Sequence, residues 1–435
     1  MMALLDSLIT DSRAQVVADT IRLVNIPSEE VSGAACVQQA VMEMAIRDGL
    51  FVKDYGCGVV SVSLYDRAPD LGIWVHADVV PAGDGWTRDP YDAYEYNGCI
   101  IGRGATDNKG QLAAIYRLLC LFKQQGMQLS YNPALYIGSN EESGMKDVIA
   151  FLETCTPPAL SLVPDDGFAV GYGGKGALYL SVRAHHPFAD LRVSAGEDAS
   201  PGTATAVFAD GTTLSAHTPP RHASNPDPGG NMITRLCEQL LNTDKTAADD
   251  RAVLEVFRRI SLDTDGSFLG IRTAHSALGD LTVYAKSIVD CDGCPSLVLN
   301  IRYPVGITCE QLVERIDRAV APYGCTVCDL RRGVDPYLHD PESAVVRLLC
   351  DVANAVTGEN AKPHTLGGGT YAHRLPNAYP YGTDANVPPA DFAKGKGGAH
   401  GIDEAASIDR LLRAMRVYAR ALLALDQHPE MFTNR

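Results

Sequence analysis

The sequence predicts an α/β fold: a buried mixed sheet flanked by helices, with a separate α+β region between the two halves of that fold. Three observations carry this. Strand-length apolar runs alternate with helix-period stretches up to about residue 165. From about 176 to 335, strands and helices follow one another in a different order. After 336 the chain returns to helices and a glycine-rich stretch, Gly367-Gly368-Gly369. The expected organisation is a first part of one domain over 1–175, a second domain over 176–335, and the remainder of the first over 336–435. At roughly 150 residues per domain, 435 residues amount to about three domains, or two larger ones.

The elements follow from periodicity. Val16, Val17, Ile21, Leu23 and Val24 recur at helical spacing until Pro27. Val59 to Leu64 alternates like a half-buried strand, and Leu71 to Val75 is a short apolar run typical of a buried one. Lys109 to Gln125 places Leu112, Ile115, Tyr116 and Leu119 on one helical face. Strand 134–137, helix 145–153 and strand 160–163 follow. In the middle region, 177–184, 203–208, 296–303 and 326–331 read as strands, with helices over 231–241 and 308–321. A long helix over 408–426 closes the chain.

Composition narrows the function. The formal charge is −16, which argues against nucleic acid or anionic membrane as the partner, since both need basic patches. The N-terminus lacks a basic segment followed by an apolar core, so no signal peptide is expected. No apolar run reaches membrane-spanning length. The expectation is a cytoplasmic protein, with reduced thiols.

Five polar clusters stand out: His76-Ala77-Asp78, Asp107-Asn108-Lys109-Gly110, Glu141-Glu142, Asp165-Asp166, and His400 within Gly397-Gly398-Ala399-His400-Gly401. Three follow predicted strands, where sites form in open α/β sheets. Singly, each has a plainer reading: a turn, a solvated helix start, or, for Asp107, a helix N-cap. Jointly they suit two metal ions. A paired site needs a bridging carboxylate, and a terminal His and carboxylate for each ion. His76, Asp107, Glu142, Asp165 and His400 provide that set. Glu141 is left as general base for an activated water. Asp78 is placed to accept the second imidazole proton of His76.

These segments resemble the motifs of the aminoacylase/carboxypeptidase superfamily of di-zinc hydrolases. The matches are His76-Ala77-Asp78 through Gly85-Trp86, Gly102 through Gly110, Ser139-Asn140-Glu141-Glu142-Ser143-Gly144, Val163-Pro164-Asp165, and His400 through Glu404. They occur in the family's order. Gly83-Asp84-Gly85-Trp86, Asn300-Ile301-Arg302-Tyr303-Pro304 and Gly367 through Ala372 are most similar to bacterial PepV-type and Sapep-type dipeptidases. The resemblance implies a zinc-peptidase-like catalytic domain with an inserted lid domain. It implies one metal on His76, Asp107 and Asp165, and another on Asp107, Glu142 and His400, with Glu141 as general base. It gives His222 the role of polarising the scissile carbonyl, and Arg302 that of contacting the substrate carboxylate. Gly368, Gly369 and Thr370 match the segment near the substrate's C-terminal end. Zinc is the expected metal, and the ligands also accept manganese or cobalt. Asn300, His373 and Ser200 depart from the family pattern where substrate is gripped.

The expected activity is hydrolysis of L-dipeptides by a monomer acting on small peptides. An N-acyl amino acid amidohydrolase is the alternative within the superfamily, and a catalytically silent metal- or peptide-binding protein is the alternative outside it. The two Cys-x-x-Cys pairs, Cys291/Cys294 and Cys325/Cys328, are separated by 30 residues, against about 15–20 in a zinc ribbon. Free thiols are therefore expected.

Overall fold

A computed structural model describes residues 2–196, 202–218, 223, 225–227 and 229–432. The chain forms two compact units. One comprises Met1–Tyr172, His339–His364 and Thr370–Arg435, and the other Gly173–Leu338 with Thr365–Gly369. The short return of 365–369 to the second unit has no counterpart in the hydropathy pattern, because it is too brief to carry a period. Among the described residues no helix is long and apolar enough to cross a membrane.

The first unit is built on a six-stranded mixed sheet. Its strands run in the order Phe51–Asp54, Val60–Ser63, Pro133–Gly138, Leu71–His76, Leu160–Val163 and Ala378–Pro380. Leu71–His76 lies parallel to both neighbours and is buried along its whole length, as its unbroken apolar run requires. Side chains alternate along it. Leu71, Ile73 and Val75 join the core formed with helices Arg13–Val24, Gly110–Gln124 and Ile408–Leu425. Trp74 points to the opposite face, where it stacks on Tyr136 at 4.3 Å between ring centroids and meets Phe151 edge-on. His76 follows Trp74 on that face and ends the strand.

A three-stranded sheet in the same unit joins distant segments. Ala405–Ser407 pairs with Cys99–Ile101, which pairs with Tyr94–Tyr96. This pairing sets the chain after Ile101 beside the chain before Ala405, and Gly102 N–H donates to the Glu404 carbonyl at 3.0 Å.

The second unit has a seven-stranded antiparallel sheet. Its order is Thr213–Thr218, Gly202–Phe208, Leu191–Gly196, Thr282–Cys291, Cys294–Tyr303, Gly176–Ala184 and Cys325–Arg332. Leu178, Leu180, Val182, Leu297, Leu299 and Ile301 face a core shared with helices Met232–Leu241, Ala248–Leu262 and Cys309–Val320. Asn231 and Thr308 start two of these helices with reciprocal capping boxes. Tyr179, Arg183, Asn300 and Arg302 occupy the other face of the sheet, as the cross-strand register dictates.

Both tryptophans, Trp74 and Trp86, belong to the first unit, so indole fluorescence reports on it. Ile73 is fully buried in its core. Ile73→Ala is expected to cost about 2–5 kcal/mol in urea unfolding followed by fluorescence. A loss below about 1 kcal/mol would contradict this packing.

Candidate metal centre

Asp107 sits at the middle of the constellation. It lies in an irregular turn, Ala105–Lys109, ahead of helix Gly110–Gln124 rather than capping it; the helix's N-cap position is Lys109. Its two carboxylate oxygens face two histidines. Oδ1 is 3.0 Å from His76 Nε2, and Oδ2 is 2.9 Å from His400 Nε2. His400 Nε2 is also 3.0 Å from Glu142 Oε1. Burial disfavours the Asp107 carboxylate, but the two imidazoles outweigh it and hold the carboxyl far below its usual range. Burial likewise opposes charge on His76, and the Asp107 and Asp78 carboxylates override it, so its pKa lies well above the ordinary value.

The remaining carboxyl groups close the cluster. Asp165 follows strand Leu160–Val163, and its Oδ1 accepts from Asn108 Nδ2 at 3.1 Å. Burial and nearby Asp107 push its carboxyl up to about 7. Glu141 is buried, and its Oε1 has no hydrogen-bond partner among the described residues. Burial, then repulsion from Asp165, raises its pKa well above the ordinary value. Single ligand atoms of His76, Asp107 and Glu142 all lie within 4.8 Å of one another, and so do those of His76, Glu141 and Asp165. Crowded buried carboxyl groups with raised pKa values, an unpartnered buried oxygen and two imidazoles form an oxygen- and nitrogen-rich donor set. It fits divalent cations such as zinc or manganese.

The positions of these groups are fixed by other carboxylates. The His76 Nδ1 nearest acceptor is the backbone carbonyl of Asp78, at 2.8 Å, while the Asp78 carboxylate is 3.6 Å away. Support for the imidazole expected from the Asp78 side chain thus comes first from its main chain. The carboxylate itself accepts from Glu141 N–H and Glu142 N–H at 3.1 and 3.0 Å. Asp147 Oδ2 accepts from Ser139 N–H and Asn140 N–H at 2.6 and 3.1 Å, and from the Tyr371 hydroxyl at 2.6 Å. Four successive N–H groups are thereby held by two carboxylates. Gly138 makes room for this: a Cβ there would stand 1.9 Å from the Tyr371 hydroxyl oxygen.

Glu404 does the same for the Asp107 turn. Its Oε2 accepts from Arg103 Nη1 at 2.6 Å and Gly104 N–H at 3.0 Å, and its Oε1 from the N–H groups of Thr106 and Asp107 at 2.9 and 3.0 Å. Arg103 Nη2 reaches the His400 carbonyl at 3.3 Å. Glu404 was visible as part of the last motif, but its contacts were not. Asp147, Tyr371 and Arg103 had no local signal for this role, because each acts on backbone distant in sequence.

Arg302, Gly368 and Gly369 belong to the second unit. Arg302 is buried, its Nη2 is 3.4 Å from the Tyr179 hydroxyl, and its Nε has no partner among the described residues. The Thr370 hydroxyl accepts from Ala372 N–H, and His373 Nδ1 from Thr370 N–H. His373 therefore closes a turn at the place where the resembled family carries arginine. His222 and Ser200 lie outside the described residues.

Comparison with known proteins gives the following. The sequence profile of peptidase family M20/M25/M40 matches residues 72–424. The protein named "Putative dipeptidase YtjP" of Bacillus subtilis (strain 168) is 28% identical over 426 residues, covering 89% of each chain. Among solved structures, the dipeptidase Dug1p of Saccharomyces cerevisiae superposes with a TM-score of 0.66 at 15% identity, covering 99% of both chains. The YXEP protein of Bacillus subtilis, a dinuclear metal-binding peptidase of family M20, superposes with a TM-score of 0.54 at 11% identity, covering 96% of this chain and 99% of that one.

Glu404→Ala removes the partner of a guanidinium that is 1% exposed. The expected loss in guanidinium chloride unfolding is about 3–5 kcal/mol, the cost of an uncompensated buried charge. A loss under about 1 kcal/mol would show that the pair does not hold the turn.

Proposed function

The chain belongs to peptidase family M20/M25/M40, and from that premise we propose that it is a metal-dependent dipeptidase acting on L-dipeptides with a free N-terminus. The observation that carries this reading is Glu141. It is a buried carboxyl group with an unpartnered oxygen, grouped with His76 and Asp165 beside a carboxylate shared by two histidines.

In the proposed assignment, His76, Asp107 and Asp165 hold one ion, and Asp107, Glu142 and His400 hold the other, with zinc expected. Two such ions supply Lewis acidity toward the scissile carbonyl and make water a stronger acid. Glu141 takes the proton from the attacking water and delivers it to the amine nitrogen as the C–N bond breaks. To act as base the Glu141 carboxyl must be ionised, which cations held by the neighbouring carboxylates would favour by offsetting the repulsion from Asp165. The Asp78 and Asp147 carboxylates keep the backbone of 139–142 in place, and so fix where the Glu141 side chain starts. His222 is assigned to the oxyanion. Arg302 is assigned to the substrate carboxylate; its buried, unpartnered Nε supports this, because a planar guanidinium fork pairs with a carboxylate bidentately. Gly368, Gly369 and Thr370 are assigned to the same end of the substrate, and the second unit to the lid.

Glu141→Gln is expected to lower kcat by about 10²–10⁴-fold while metal content persists. Near-normal turnover in that variant would remove Glu141 from the mechanism. Chelation is expected to abolish hydrolysis, and zinc, manganese or cobalt to restore it; full activity in metal-stripped protein would overturn the metal assignment. An unblocked L-dipeptide is expected to be cleaved in preference to its N-acetylated form. The opposite preference would replace this reading with N-acyl amino acid hydrolysis.

A further inference from the structure

The second unit contains a thiol cluster assembled from both Cys-x-x-Cys pairs. Cys291 ends strand Thr282–Cys291, and Cys328 lies in strand Cys325–Arg332. Between them stands Asp329, whose Oδ2 is 3.7 Å from Cys291 Sγ and 3.4 Å from Cys328 Sγ. One ligand atom from each of the three residues lies within 4.8 Å of the others.

Local backbone explains how this arises. Adjacent residues of a regular strand point to opposite faces. The ladder with Gly176–Ala184 shifts register between Cys328 and Arg331, and Asp329 adopts φ 50°. That bulge lets the Asp329 carboxylate reach the thiol before it. Cys325, three positions earlier, faces the core at 1% exposure and takes no part. The cluster is therefore not a four-cysteine ribbon. Cys294 pairs with Cys291 across the hairpin end and so shares its face of the sheet.

We propose that Cys291, Cys328 and Asp329 form a binding site for a thiophilic divalent cation, zinc, separate from the catalytic centre. Zinc–sulfur bonds of about 2.3 Å and zinc–oxygen bonds of about 2.0–2.2 Å put neighbouring ligand atoms roughly 3.5–3.8 Å apart in a tetrahedron. The two sulfur–oxygen separations, 3.7 and 3.4 Å, lie within or about 0.1 Å below that range. One divalent cation offsets the two thiolates; the Arg183 guanidinium also meets Cys291, but it is shared with Asp292 3.1 Å away, so the Asp329 carboxylate leaves the cluster with a net negative charge that favours a cation. Coordination would replace the thiol protons, which go to solvent. Half-exposed surroundings give the ion access and leave its fourth position to water or Cys294.

The test uses the full-length protein loaded with cobalt(II). A catalytic centre of imidazole and carboxylate ligands gives no sulfur-to-cobalt charge-transfer absorption, whereas the proposed site does. The expected result is such a band, together with one metal equivalent more than the Cys291→Ser/Cys328→Ser variant binds. The band disappears in that variant while peptide hydrolysis is unchanged. Asp329→Asn keeps both sulfurs and is expected to retain the band with weaker cobalt binding, which covers the case where the double variant fails to fold. Absence of the band in the unmodified protein, or its persistence without Cys291 and Cys328, overturns the proposal. Neither outcome depends on whether the protein is a dipeptidase.

Discussion

Buried carboxylates that accept backbone N–H groups hold the converging carboxyl and imidazole residues in place. Glu404 binds three such groups in the turn that carries Asp107, and Asp78 and Asp147 bind four more in the segment that carries Glu141 and Glu142. The need for them is electrostatic. Asp107, Glu141, Glu142 and Asp165 converge on one small region, where like charges repel and burial penalises Asp107, Glu141 and Asp165. Side chains under that repulsion stay convergent only when the backbone beneath them cannot move. A fixed carboxylate acceptor supplies this restraint by taking up backbone N–H groups that donate to no sheet or helix carbonyl among the described residues.

This arrangement also links the ends of the sequence. Glu404 sits four residues after His400 and anchors the Asp107 turn, while Arg103 from that turn reaches back to the His400 carbonyl. The short sheet that pairs 99–101 with 405–407 brings the two segments into register. A carboxylate flanked by two histidines is thus a product of strand pairing as much as of residue type.

Much of the fold was legible in the sequence. The buried strand at 71–76, the helix after Asp107 and the long final helix each carry a period or an apolar run that admits one reading. Helix Val31–Arg47 and strands Leu191–Gly196 and Thr213–Thr218 were not singled out. The two strands are mixed in burial and rich in small or polar residues, so their apolar alternation is weak. The residues proposed as ligands stood out in the sequence because chemistry restricts which side chains can serve and because they cluster after strands. Their supports did not, since any Asp, Glu or Tyr can accept or donate a hydrogen bond, and residue type alone does not say to whom.

The sequence by itself determined the α/β class, the family, and the inventory of carboxylates and imidazoles available for chemistry. Tertiary structure decided how that inventory is shared out. It set Asp107 between His76 and His400, gave the Asp78 carboxylate to the backbone of 141–142, and left Glu141 Oε1 buried without a hydrogen-bond partner among the described residues. It also divided the cysteine pairs, turning Cys325 into the core and Cys328 toward Cys291 and Asp329. The physical reason is the same in each case. Side-chain type and local period are properties of short segments, whereas hydrogen-bond partners and ligand distances depend on which remote segments the sheets bring together.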